Sequence, residues 1–239
     1  MTDVHAFTVG PVQENAYLVR TDAQATRALM IDPGEESQRL LDAAAALGVE
    51  IEAILITHCH FDHIGAVAPV AKATGAPVYC PQSELGVLAD ITKWTMPGFG
   101  PFESWQAEHT VKGGERLTLA GLDIEVVFTP GHSPGHVTYA IDGALLSGDV
   151  LFQGSVGRVD LPGGDWSTLE GSIGTLMERF ERDTVVYPGH MGVTTLGREW
   201  DTNPFLAELR ASAKIPVPAR AGQQPAEVGR PGAEQASQP

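Results

Sequence analysis

Cysteine is nearly absent from this chain: Cys59 and Cys80 are the only two in 239 residues. A fold stapled by disulfides is thereby excluded. Basic residues are scarce as well, 15 Lys and Arg against 30 Asp and Glu, which leaves a formal net charge of −15. A chain this acidic repels phosphate backbones, so no nucleic acid is expected as partner. No apolar run approaches the roughly 18 residues of a bilayer span, and no membrane contact is expected. The first ten residues lack the basic start and apolar stretch of a secretory signal. A soluble, cytoplasmic protein is the resulting expectation. There is no internal repeat, and the sequence leaves the oligomeric state open. What is present is 43% hydrophobic residues, enough for one sizeable core.

The pattern mixes strands with helices. Residues 4–9 and 15–20 read as two strands joined by a turn at Gly10-Pro11. Further strands are expected at 28–31, 53–57, 77–80, 117–119, 124–129, 137–141, 144–147 and 185–187. Leu40, Leu41, Ala44 and Leu47 recur at helical spacing within 37–47, and Gly48 stops that helix. A second helix-like run covers 64–74. Residues 167–180 give another helix, with Ser167 and Glu170 as a capping box and Leu169, Ile173, Leu176 and Phe180 along one side. Asn203-Pro204 opens a last helix reaching about residue 213. Hairpin-like pairs among the strands fit two sheets with helices outside better than one doubly wound parallel sheet. One domain is expected over residues 1–214. From 215 to 239, eight of 25 residues are Pro or Gly and aromatics are missing, a composition expected to remain disordered.

One stretch stands apart. Residues 58–63 read His-Cys-His-Phe-Asp-His, three imidazoles and a carboxylate within six residues. Two positions apart on an extended chain, His58 and His60 point to the same side. Asp62 and His63 come as the chain turns into a helix and can face a second point nearby. One metal rarely needs four ligands so dense, whereas a pair of metals does. Three more loops hold candidate ligands, each directly after an expected strand: Thr129 to His136, Ser147-Gly148-Asp149, and Tyr187-Pro188-Gly189-His190. Strand-end loops can converge at one edge of a fold, and glycines let backbone crowd a small site. Cys59 alternates away from its histidine neighbours and reads as a small buried spacer. Asp32, in a strand-end turn, reads as a structural hydrogen-bonder of the floor. His5 and His109 read as ordinary core or surface residues.

The ordered set His58, His60, Asp62, His63, His132, Asp149 and His190 resembles the metallo-β-lactamase superfamily over about residues 6–205. The resemblance implies an α/β fold, a four-layer αββα sandwich of two mixed sheets flanked by helices, with a dinuclear site at one edge. It implies that His58, His60 and His132 hold one divalent metal, that Asp62, His63 and His190 hold a second, and that Asp149 bridges both. Imidazole and carboxylate donors suit zinc first, with iron or manganese as alternatives. Such metals lower the pKa of a shared water, so a metal-bridging hydroxide is the implied nucleophile and Asp62 the catalytic residue that orients it. His136 is expected outside the ligand set, donating a hydrogen bond within its loop.

Within the superfamily, a carboxylate at Asp149 departs from the zinc β-lactamases, and His60 departs from the flavodiiron reductases, which carry glutamate there. The run Gly154-Ser155-Val156-Gly157-Arg158-Val159-Asp160, the Gly189-His190 loop and Gly197-Arg198-Glu199 before Asn203-Pro204 are similar to glyoxalase II and, more closely, to its single-domain relatives. The implied activity is hydrolysis of a small-molecule acyl thioester or ester. Only 49 residues follow His190, too few for the helical domain that holds glutathione in full glyoxalase II, so the thiol carrier stays open. A mononuclear-iron persulfide dioxygenase and a lactonase or other esterase are the alternatives. Residues 90–106 carry Trp94, Met96, Phe99, Phe102 and Trp105 without a secondary-structure period and are expected to wall the substrate. Arg158 is expected to pair with Asp160 or to meet a substrate carboxylate.

Overall fold

Alternation along the strands decides the layering. In the computed structural model, which describes residues 2–212, β1 (Asp3–Val9) and β2 (Glu14–Arg20) form the expected antiparallel hairpin. Then come β3 (Arg27–Ile31), α1 (Ser37–Ala46), β4 (Glu50–Leu55), α2 (Phe61–Ile64), α3 (Val67–Thr74), β5 (Val78–Pro81), α4 (Leu85–Leu88) and β6 (His109–Val111). The six strands make one mixed sheet in chain order. The second half supplies β7 (Arg116–Leu119), β8 (Leu122–Phe128), β9 (Val137–Ile141), β10 (Ala144–Gly148), the small pair β11 (Leu151–Phe152) and β12 (Ser155–Val156), α5 (Trp166–Arg179), β13 (Val185–Pro188), β14 (Thr194–Thr195), α6 (Leu196–Thr202) and α7 (Ala207–Ala211). Its main sheet has the order β14-β13-β10-β9-β8-β7 and is mixed as well. The expected disordered tail, and the end of the final helix near 213, lie outside the described residues.

Three apolar clusters separate four layers. On β3, period-two alternation sends Ala28 and Met30 outward against Leu40 of α1 and Val70 of α3, and sends Leu29 and Ile31 inward. The inward set, with Tyr17, Val19 and Leu55, meets Ile124, Val126, Tyr139 and Leu146 of the second sheet. On the far face, Leu169, Ile173 and Leu176 of α5 and Leu196 of α6 cover Val127, Leu145 and Val186. This is the αββα sandwich. No helix among the described residues is long and apolar enough to cross a membrane.

Several boundaries differ from the sequence reading, each for a local reason. Strand β4 begins at Glu50 rather than 53, because its register with β3 skips a residue: Ile51 partners Ala28, and Ala53 partners Leu29. The extra residue, Glu52, reverses the alternation, so Ile51, Ile54 and Ile56 all join the outer cluster. The run expected as a helix at 64–74 starts at Phe61 and is interrupted between α2 and α3 at Gly65-Ala66. Helix α5 is capped by Asp165, whose Oδ1 accepts from Thr168 N at 2.8 Å, and not by Ser167. The last helix opens as a 3-10 turn, Pro204–Leu206, with Asn203 Oδ1 accepting from Phe205 N. Strands β6, β11, β12 and β14 and helices α4 and α6 fall outside the sequence expectations; they are short, and their partners hold them more than any periodicity of their own.

Two tyrosines stitch the sheets together in opposite directions. Tyr17 of the first sheet donates its hydroxyl to Pro188 O at 2.6 Å. Tyr139 of the second donates to Ile56 O at 2.8 Å. Both acceptors lie just before a loop that carries histidines. Replacing Tyr139 with Phe removes one buried donor and should lower stability by about 1–3 kcal/mol. A urea titration should show the midpoint reduced at unchanged slope, and an unmoved midpoint would mean that the Ile56 carbonyl has another partner.

Candidate metal centre

Five strands end at one edge. Strands β3 and β4 are parallel, as are β10 and β13. Strand β8 runs with β10, because both are antiparallel to β9. The chain leaving these strands carries Asp32, then His58, His60, Asp62 and His63, then His132 and His136, then Asp149, then His190. All seven expected ligands meet there. Two glycines are required for the approach. Gly148 has φ +47°, and a Cβ on it would stand 2.4 Å from Thr57 Oγ1; a Cβ on Gly189 would stand 2.2 Å from Asp149 Oδ1.

Hydrogen bonds decide which nitrogen of each ring faces the cluster. Asp32 accepts from Thr57 N at 2.7 Å through Oδ1, and from Thr57 Oγ1 at 2.6 Å and His63 Nδ1 at 3.0 Å through Oδ2. With its hydrogen given to Asp32, the Thr57 hydroxyl accepts from His58 Nδ1 at 3.1 Å. His132 Nδ1 donates to Arg158 O at 2.7 Å, and His190 Nδ1 to Gln13 O at 3.2 Å. Four rings therefore commit Nδ1–H to an oxygen and present Nε2 inward. His58 Nε2 lies 3.2 Å from His132 Nε2 and 3.1 Å from His60 Nδ1. In neutral rings, the two Nε2 atoms oppose lone pair to lone pair, an arrangement that calls for a shared cation. Buried His63 Nε2 and Asp149 Oδ1 have no hydrogen-bond partner. The donor set fits a divalent metal.

Two groups of three could each hold an ion: His58 with His60 and His132, and Asp62 with His63 and His190. Asp149 stands between them. Its Oδ1 is 3.3 Å from His63 Nε2, and its Oδ2 is 3.4 Å from His132 Nε2 and 3.5 Å from His190 Nε2. Asp62 Oδ2 is 3.3 Å from His190 Nε2. A third grouping of Asp32, His58 and His63 is equally close. It is a hydrogen-bonded knot instead, since the Asp32 oxygens are already filled by Thr57 and His63.

Electrostatics divides the rings. Burial, then the neighbouring imidazoles, holds His58 well below the usual histidine range. Burial and His132 push His60 down to about 4. Burial also opposes protonation of His63, but Asp149 and Asp32 overcome it and raise that ring well above its ordinary value. Burial opposes protonation of His190 as well, but the Asp62 hydrogen bond and the Asp149 charge together raise it above its ordinary value. Burial would raise Asp149, yet His63 and His132 keep it far below the carboxylate range.

The remaining expected residues separate. His136 donates through Nδ1 to Thr129 Oγ1 at 3.1 Å, and its Nε2 accepts from Asp149 N at 3.0 Å, so its bonds reach beyond its loop to the Asp149 backbone. Arg158 makes a two-pronged pair with Asp160, at 2.6 and 2.7 Å. Trp94 lines the cleft beside the cluster, half exposed. Phe102 does not line that cleft; it stacks behind Phe61 at 6.1 Å between ring centroids, because its loop folds back onto α2. Cys59 is buried beside Cys80, with Sγ atoms 3.5 Å apart.

Two buried acids carry no sequence signal of their role. Glu84 accepts from Cys59 N at 2.5 Å and Gly135 N at 2.9 Å, and from the Ser133 hydroxyl. It clamps the His58–His60 segment to the loop bearing His132. Glu14 is fully buried without a hydrogen-bond partner, 3.7 Å from His63 Nδ1. Burial holds its carboxyl well above the usual range, against the pull of His63. A lone Glu after Ser83, or one opening a strand buried on both faces, reads in sequence like any other.

Two sheets face to face, with an imidazole and carboxylate cluster where their strands end, define a metal-dependent hydrolase scaffold. The chain belongs to the metallo-beta-lactamase superfamily, which it matches over residues 9–190. It is 40% identical over 205 residues to the probable metallo-hydrolase YqgX of Bacillus subtilis, covering 83% of this chain and 94% of that one. It is 32% identical to the hydroxyacylglutathione hydrolase GloC of Haemophilus influenzae, covering 85% of this chain and 98% of that one. Among solved structures, BLEG-1 B3 metallo-beta-lactamase superposes with TM-score 0.80 at 38% identity, covering 86% of this chain and 100% of that one. TTHA1623 in a di-iron-bound form gives TM-score 0.70 at 41% identity, covering 84% and 100%. Superfamily membership and the YqgX relationship support a metal-dependent hydrolase.

Metal loading should release protons. In the metal-free protein, the raised rings of His63 and His190 keep protons to higher pH than a free imidazole, and an ion must displace them, whereas His58 and His60 give up theirs at lower pH. Protons should appear on loading, read by calorimetry in buffers of different ionisation enthalpy, and fewer as pH rises. The same shifts set metal-free stability: His63 and His190 stabilise the fold below about pH 6.5 and lose that contribution as pH climbs through their raised values. His58 and His60 weaken it as pH falls from about 6.5. Glu84→Gln should cut the affinity of the His58, His60 and His132 group for metal by about 10–100-fold while sparing the other group, as measured by chelator competition.

Proposed function

We propose that this protein is a dinuclear metal-dependent hydrolase of small acyl thioesters. His58, His60 and His132 would hold one divalent ion, Asp62, His63 and His190 the other, with Asp149 shared. The observation that carries this reading is the opposition of His58 Nε2 and His132 Nε2 at 3.2 Å, with Asp149 within 3.5 Å of His63, His132 and His190 beside it. When bound, the ions supply Lewis acidity and an ionised water at neutral pH. The chain's own residues do the positioning. Asp32, Arg158 O and Gln13 O hold the Nδ1 protons, so each Nε2 stays aimed. Asp62, whose Oδ2 lies 3.3 Å from His190 Nε2, would accept a proton and orient the nucleophile. A cleft of about 970 Å³ opens beside the cluster and receives the substrate.

The name of GloC supports a thioester. The match spans 98% of GloC, which supports glutathione thioesters among the candidate substrates. The donor set favours zinc, and the di-iron form of TTHA1623 supports iron as the alternative. Purified protein should carry two metal ions per chain by elemental analysis and hydrolyse thioesters, glutathione thioesters among them, faster than lactones or a β-lactam. A single iron with oxygen consumed on a persulfide, or turnover of the β-lactam alone, would replace the thioester reading. Asp149→Ala should lose one ion and lower kcat/KM by more than about 100-fold, beyond the cost of losing an outer partner. Retention of both ions would overturn the shared role.

A further inference from the structure

The cleft wall next to the cluster is built chiefly of apolar side chains. The wall is built by Val87, Trp94, Met96 and Phe99, and it begins at the cluster itself. Phe61, between His60 and Asp62 in sequence, packs its ring against Phe99 at 4.8 Å. Phe102 braces Phe61 from behind. Three large apolar side chains stand exposed among the residues lining the cleft: Trp94 at 52%, Met96 at 38% and Met191 at 56%. Apolar surface left open at a cleft marks a place where something covers it.

Four polar side chains beside this wall already have partners within the chain. The Thr95 hydroxyl donates to Ile91 O at 2.9 Å. The Ser133 hydroxyl donates to Glu84. Lys93 pairs with Asp90 at 2.6 Å, and Arg158 pairs with Asp160 through two nitrogens. A hydroxylated or charged acyl group laid against the Val87, Met96 and Phe99 side chains would give up hydrogen bonds to water and find no partner on them, a loss that a hydrocarbon chain does not suffer.

Resting on the thioester reading above, we propose that this wall selects an unsubstituted, medium-length hydrocarbon acyl chain, and that Trp94 and Met96 close over its far end. The selection concerns the acyl group alone, and the thiol lies on the other side of the reacting carbonyl.

The test keeps the thiol constant. Metal-loaded protein is assayed with N-acetylcysteamine thioesters of acetyl, lactoyl, butyryl, hexanoyl and octanoyl groups. Each methylene laid on the wall should raise kcat/KM by about fourfold until the wall is filled, mostly through KM, with the lactoyl ester far below the hexanoyl. The non-hydrolysable octyl thioether of the same thiol should quench tryptophan fluorescence. Trp94→Ala should abolish that quench and flatten the chain-length series. Met96→Ala, a smaller change at the same mouth, should flatten it in part, and urea midpoints check that both variants fold. A flat series, or preference for the lactoyl ester, would overturn the acyl assignment while leaving thioester hydrolysis standing. No turnover of any thioester, including those of glutathione, would overturn thioester hydrolysis and the assignment with it.

Discussion

The site hangs on the carboxylate of Asp32. It ends β3 in a left-handed backbone conformation, φ 45°, which an L-residue adopts at a cost that a short polar side chain reduces. From there it takes three donors, and each bond has a consequence. Holding Thr57 N ends β4 and turns the chain toward His58. Taking the Thr57 hydroxyl proton forces that oxygen to accept from His58, which sends the His58 lone pair to the cluster. Holding His63 Nδ1 does the same for a second ring. One buried acid thereby sets the tautomers of two rings, each in a different group of three.

The rest of the scaffold keeps mutually repelling groups from moving apart. Lone pairs on His58 and His132 oppose each other at 3.2 Å, and the partly apolar surroundings do nothing to screen them. Tyr17 and Tyr139 lock the sheets across the gap, and Glu84 ties two ligand-bearing loops. Such a centre is preorganised by second contacts, and metal-binding energy would be used on the ion instead of on ordering loops. The same rigidity extends into the cleft, because Phe61 is both a neighbour of the ligand-bearing residues and the base of the apolar wall. The imidazole and carboxylate cluster and the apolar wall are one packed unit.

Legibility differed by kind of information. The hairpin at the start, the helix at 37–47 and the buried strands followed from periodicity, because each faces a single environment or two apolar ones. The displaced start of β4 did not, since the residue skipped at Glu52 reverses the inside-outside pattern that a reader relies on. Phe102 was misplaced for a related reason: an aromatic in an irregular loop has no period to say which way it faces, and Phe102 faces the core behind Phe61. The aromatics of the same loop divided into wall and brace only once the loop was folded.

What the linear order of residues settled is the inventory: which imidazoles and carboxylates exist, and that each follows a strand. That is local chemistry, and strand-end loops announce themselves by their glycines and prolines. Folding alone decided which ring nitrogen carries the proton, that Asp149 stands between two groups, and that Glu84 and Glu14 lie buried at their edge. These depend on contacts between residues mostly 25 to more than a hundred positions apart, and no local pattern encodes a partner that far along the chain.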